Sequence, residues 1–159
     1  MCKVAFGDAP PVIGDADDDG VVLSSANQVE LQQVEVGGGA GNAFTISGGI
    51  GIGFDYAVAW DNDGWGVVVG GAPPPSITWN HGVVWSNALG AVYVSAGGAD
   101  LRNSLFNAAH TNRPILQFGL QGVISGDYNF FRPENGAFPA RTDAADIETL
   151  NLASWQRWG

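Results

Sequence analysis

Across residues 44–71 the chain sets large apolar side chains on alternate positions. Phe54, Tyr56, Val58 and Trp60 share one phase, Asp61-Asn62-Asp63-Gly64 interrupts it with turn residues, and Trp65, Val67 and Val69 resume it. Strand side chains point alternately to the two faces of a sheet, so a period of two predicts strands with one bulky and one sparse face. The turn residues between the two runs predict a β-hairpin in which Trp60 faces Trp65, Val58 faces Val67 and Tyr56 faces Val69. The opposite face carries Asp55, Ala57, Ala59, Gly66 and Val68 and is mostly small.

The same punctuation continues along the chain. Residues 77–79 and 83–85 flank Asn80-His81-Gly82, a second hairpin signal, and residues 91–94, 115–120 and 128–131 read as further strands. Residues 28–36 change phase near Gln32-Gln33, which predicts a strand with a bulge. Alternation of Gly with Ile over residues 48–53 leaves one strand face bare and open to close backbone approach. Residues 100–110 read as a helix, with Asp100 as cap, Leu101, Leu105 and Ala108 at helical spacing, and Asn112-Arg113-Pro114 to end it. The expected fold is all-β: an antiparallel two-sheet sandwich or jelly roll with one short helix near 100–110. At 159 residues the chain makes one domain, read as an extended N-terminal arm over 1–20 and a β-sandwich or jelly-roll domain over 21–159.

Charge and cysteine usage exclude several partners. Six Lys and Arg stand against sixteen Asp and Glu, a net charge of −10, and Lys3 is the only lysine. Phosphate recognition needs clustered cations, so neither nucleic acid nor an anionic membrane surface is an expected partner. No apolar run is long enough to span a bilayer. Cys2 is the only cysteine, which rules out an intrachain disulfide framework. Gly7, Asp8, Pro10 and Pro11 break up the region where a signal peptide would lie, so cytoplasmic synthesis without a leader is expected. Charged residues are only 14% of the chain, and a surface so poor in charge calls for neighbours to cover it.

Candidate chemistry is sparse. Asp15, Asp17, Asp19 and Gly20 match the first half of an EF-hand-type loop, with oxygen ligands at positions one, three and five and a glycine bend at six. Ala26 stands where the bidentate acid belongs, so calcium is weighed against a solvated acidic loop, with the Val21 carbonyl and Ser24 or Ser25 hydroxyls to complete the site. Cys2, His81 and His110 match no zinc spacing. No nucleophile elbow is present, and Asp55, Glu134 and Glu148 form no recognisable acid/base pair, so no catalytic residue is assigned and no enzyme is expected.

Six tryptophans, at 60, 65, 79, 85, 155 and 158, form the stronger constellation. The first four sit in phase with predicted strands and are read as core or interface. Trp155 and Trp158 flank Gln156-Arg157, and Trp155, Trp158 and Arg157 are candidate interface residues, because Trp and Arg dominate interface hot spots. A row of exposed rings can instead stack on sugars, which makes Trp85 and Trp155 the candidate glycan contacts of the alternative reading.

In its expected lack of a leader, its richness in glycine and asparagine and its poverty in lysine, the chain resembles small virion-surface proteins of tailed phages, the head-decoration, fibre and tail-accessory kinds. That resemblance implies a non-enzymatic structural protein that acts through subunit contacts on a virion or other assembled particle. It implies a homo-oligomer, with a trimer expected, and other assembly proteins as partners. The alternative is a lectin-like carbohydrate-binding β-sandwich, with calcium assistance.

Overall fold

The protein is described by a computed structural model over residues 2–5, 12–14, 17–108, 113–133 and 138–142. In chain order its strands are β1 (Cys2–Ala5), β2 (Val12–Gly14), β3 (Val21–Gln32), β4 (Glu35–Gly37), β5 (Phe44–Asp55), β6 (Val58–Trp60) and β7 (Trp65–Gly70). There follow β8 (Ser76–Asn80), β9 (Val83–Trp85), β10 (Gly90–Arg102), β11 (Leu105–Ala108), β12 (Pro114–Asp127), β13 (Phe130–Pro133) and β14 (Phe138–Thr142). Every described strand pairing is parallel. One sheet runs β1-β3-β5-β7-β10-β12-β14, with β8 also laid between β5 and β10, and the second runs β13-β11-β9-β6-β4-β2. The chain is a β-solenoid of about five turns.

Each turn lays the same kinds of side chain above those of the turn before. Val21, Phe44, Val67, Val92 and Leu116 stack in one column, at spacings of 23, 23, 25 and 24 residues. Leu31, Phe54, Trp79 and Leu101 form another, and Val36, Ala59, Val84 and Phe106 a third. Nearly all of these point inward and are buried, Trp79 completely. Phe44, Phe54 and Trp79 meet with ring centroids 5.1–5.4 Å apart. Full burial of each such side chain contributes about 1.5–3 kcal/mol, so these columns hold the turns together.

The expected antiparallel sandwich or jelly roll is therefore replaced by a parallel coil, and the reason lies at the corners. Gln33, Tyr56, His81, Asn103 and Tyr128 occupy equivalent positions and all adopt the left-handed conformation, with φ of 54°, 56°, 51°, 50° and 56°. Each of the first four donates its backbone N–H to the turn above: Gln33 to Asp55, Tyr56 to Asn80, His81 to Arg102 and Asn103 to Asp127, at 3.0–3.2 Å. One residue in this conformation swings the chain from the first sheet to the second. It also inverts the phase, so Ala57 and Ala59 face the core while Val58 and Trp60 face outward.

The predicted hairpins fail for the same reason. Val58–Trp60 and Trp65–Gly70 lie in different sheets, and Trp60 pairs with Gly37 and Trp85 rather than with Trp65. Asn80-His81-Gly82 is likewise a corner, and the phase change at Gln32-Gln33 is a corner rather than a bulge. The expected helix over 100–110 is absent from the described part of that stretch. Asp100, Leu101 and Arg102 end β10, Asn103 turns the corner, and β11 follows, leaving Leu101 buried and Leu105 half-exposed on the outer face. Residues 109–112 lie outside the described residues.

The bare face expected over 48–53 is another corner. Gly48, Gly49 and Gly51 take φ of 87°, 115° and 66°, and a Cβ on Gly49 would fall on the Ala26 carbonyl. One turn later this corner spans residues 71–75 and carries Pro73-Pro74-Pro75. The spacing from Ser47 to Gly70 is 23 residues and from Ile52 to Ile77 is 25, so the two extra residues lie in this corner while the strands keep register.

Candidate interaction surface

The outward columns of the solenoid differ sharply in character. On the first sheet, Gln32, Asp55, Asn80, Arg102 and Asp127 form a polar stripe. Asn80 donates to Asp55 at 3.2 Å, Asn103 donates to Asn80 at 2.9 Å, and Arg102 pairs with Asp100 at 2.7 Å, which raises the Arg102 pKa above its ordinary value. His81 stacks on Tyr56 with centroids 4.9 Å apart and planes 12° from parallel, and its Nδ1 lies 3.1 Å from Asp55 Oδ1. These groups satisfy one another from turn to turn.

The second sheet presents the opposite chemistry. Its outward positions form two columns: Glu35, Val58, Val83, Leu105 and Phe130, and beside it Gly37, Trp60, Trp85, Asn107 and Arg132. Val58, Val83, Leu105 and Trp85 are half-buried, Trp60 is 36% exposed and Phe130 is 61% exposed. Trp60 lies across Gly37, where an added Cβ would sit 2.3–2.6 Å from three atoms of the indole. A glycine is needed there for the ring to lie against the sheet. The Trp60 indole N–H then donates to Glu35 Oε1 at 2.8 Å. On a later turn the Arg132 guanidinium sits 5.3 Å from the centre of the Trp85 ring, within cation-π range. Asn107 stands between these two in the column and is fully buried, with neither amide atom hydrogen-bonded.

A second apolar region lies at the C-terminal end of the described coil. β14 pairs with only residues 114–118 of β12. Beyond that pairing, Leu120 and Tyr128 are each 82% exposed, and Tyr128 borders a recess of about 370 Å³ lined also by Leu101, Leu116, Ile124, Asp127 and Phe131. Asp127 is the one carboxylate among its lining residues.

The residues singled out from the sequence fall as follows. Asp15 lies outside the described residues, and Asp17 is exposed. Asp19 accepts the backbone N–H of Asn42 at 2.7 Å through Oδ1 and the Thr45 hydroxyl at 2.5 Å through Oδ2, so it links neighbouring turns. Among the described residues no three His, Cys, Asp or Glu side chains converge as metal ligands. Trp155, Arg157 and Trp158 lie outside the described residues. Trp85 is on the outer face, as a sugar platform requires, yet Arg132 lies over its ring. Of the four tryptophans read as core or interface, only Trp79 is core. Trp60 was not among the candidate contacts, although its 25-residue separation from Trp85, shared by Asp61-Asn62 and Ser86-Asn87, is the repeat signal that places both on one column.

No protein-family model, curated protein or solved structure matches this chain. The expected virion-surface role has no support from these comparisons, and the jelly-roll and sandwich descriptions attached to it are overturned by the parallel coil.

Proposed function

We propose that this protein is a non-enzymatic scaffold that works through subunit contacts, a homo-oligomer whose repeated surface is its working part. One observation carries the reading: the outward columns of the second sheet put Val58, Val83, Leu105, Phe130 and Trp60 where the polar stripe of the first sheet puts Asp, Asn and Arg. Contiguous outward apolar side chains on a soluble fold mark an interaction site. The low charge of the whole chain and the single carboxylate at the end recess favour contact over catalysis. Light scattering across protein concentrations tests the reading. A mass above that of the 16.5 kDa chain, rising with concentration, supports it, and a single-chain mass up to about 1 mM, the weak limit of specific association, overturns it.

A second reading, glycan binding, is favoured by the Trp60 ring, which lies along the sheet over Gly37 with a carboxylate beside it. A sugar ring stacks on such a platform and hydrogen-bonds to an adjacent acid. A glycan array with Trp60→Ala as control tests it: binding lost in the variant with the fold intact supports this reading, and no binding by the parent chain removes it.

A further inference from the structure

We infer that residues 143–159 of the chain itself dock on the open C-terminal end of the coil and close it, with Ile147, Leu150 and Leu152 over the recess bordered by Tyr128. The inference is independent of the proposed homo-oligomeric function, since it concerns the end of the coil and not the outer face of the second sheet. That end is unfinished. β14 pairs with residues 114–118 of β12, so among the described residues the edge of β12 from 119 to 127 has no partner on that side. A bare strand edge is a template for further chain, and solenoids close their ends with a capping segment. The inward column Leu31, Phe54, Trp79, Leu101 ends in Gly126, which puts no side chain above Leu101. A Cβ there would fall on the Leu101 carbonyl, so β12 itself cannot fill the gap, and the recess of about 370 Å³ lies at this point. One turn earlier Ala99, Leu101 and Phe106 are sealed, at 2%, 1% and 0% exposure. Their counterparts on the last turn, Ile124, Gly126 and Phe131, are half-buried or exposed.

Chain continuity selects the occupant. Thr142 ends β14 in register with Phe118 and parallel to β12, so the chain leaves β14 where the bare edge begins and heads along it. At roughly 3.3 Å per residue the edge from 119 to 127 is about 30 Å long, and the seventeen residues that follow Thr142 can reach well beyond it. Their large side chains are mostly apolar: Ile147, Leu150, Leu152, Trp155 and Trp158. Asp143, Asp146 and Glu148 supply polar positions for an outer, solvated side. A segment tethered beside its site has an effective concentration of about millimolar, which a second copy at micromolar concentration does not match.

Limited digestion of the full chain with a glutamate-specific protease tests this, because Glu148 lies in the docking segment, with circular dichroism as the check on folding. The cut at Glu148 is expected to be about tenfold or more slower than in a free peptide of residues 143–159, since a docked site is cleaved only when it opens. Leu150→Asp combined with Leu152→Asp is expected to return the cut to the peptide rate while the coil keeps its spectrum. From the other side of the contact, Ile124→Asp is expected to do the same. Tyr128→Asp replaces an exposed side chain at a left-handed position that aspartate accepts, and serves if Ile124→Asp unsettles the last turn. Slow cutting that is lost in the double leucine variant and in either recess variant, at a rate independent of protein concentration, supports the inference. Cutting of the parent at the peptide rate overturns it. So does a slow rate that the double leucine variant or both recess variants leave unchanged, which would place the segment elsewhere. A rate that falls as protein concentration rises would make the occupant a second copy and overturns it too. None of these outcomes depends on the mass of the particle, which remains the test of the homo-oligomeric function.

Discussion

Asn62 donates its side-chain amide to Oδ1 of Asn87 at 2.8 Å, and Asn87 in turn donates to the Trp85 and Ala59 carbonyls at 3.1 and 3.2 Å. Both side chains are buried. They stand just after Asp61 and Ser86, which take φ of 53° and 58° at the corner that follows β6 and β9, and they tie one turn to the next where the backbone leaves the sheet.

Asn87→Ala removes the acceptor of both the Asn62 backbone N–H and its side chain. A buried group left without a partner costs about 1–3 kcal/mol, so the urea midpoint is expected to fall clearly with an unchanged slope. Asn62→Ala should cost a similar amount, and the double variant less than the two together, because the pair shares a bond. Additive losses would show that the two side chains act separately.

Gly37→Ala drives a methyl group into the Trp60 ring. Overpacking of this kind costs about 1–3 kcal/mol unless the ring moves away. The expected signature is a change in tryptophan emission as the bond to Glu35 is lost, and much of the cost should vanish in the background of Trp60→Ala. Equal destabilisation in both backgrounds would mean that the ring does not lie over Gly37.

Asn107 buries an amide with no partner, so Asn107→Leu, which keeps the branching and the number of side-chain heavy atoms but has no polar atom, is expected to stabilise the fold by about 1–3 kcal/mol, read as a higher denaturant midpoint. A loss of stability would reveal a hydrogen bond made by that amide in solution.

Asp19 joins two turns through both carboxylate oxygens. Hydrogen bonds to a charged group contribute about 1.5–3 kcal/mol each, so Asp19→Ala should lower the melting temperature by the same amount with or without EDTA. If chelator lowered the parent alone, down to the level of the variant, calcium rather than the turn-to-turn bond would be the source of stability.

Many of the strands were legible from alternation, and so was the inward phase of Phe54, whereas the end of β10 and β11 were read as a helix. What alternation cannot convey is strand direction, since period two is the same for parallel and antiparallel neighbours. The corner residues hid the rest. Tyr56 and His81 carry no glycine signal, yet both adopt the left-handed conformation, and each reverses which side chains face the core. Reading straight through Tyr56 therefore assigned Val58 and Trp60 to the interior and Ala57 and Ala59 to the surface, the reverse of their places. The outer apolar face was invisible for that reason alone. The turn chemistry of Asp61-Asn62-Asp63-Gly64 was read as the end of a hairpin, but a corner of a coil uses the same residues.

The proline corner over residues 71–75 shows where this architecture absorbs changes in length. Two additional residues enter there without shifting a single rung, because the corner stands outside the ladder and its closure entropy grows only slowly with length. A peptide epitope or a short loop grafted between Ala72 and Pro74 would be displayed on the outside of the coil, leaving the stacked interior and the second-sheet face undisturbed. The molecule thus has one edge where its length can change freely.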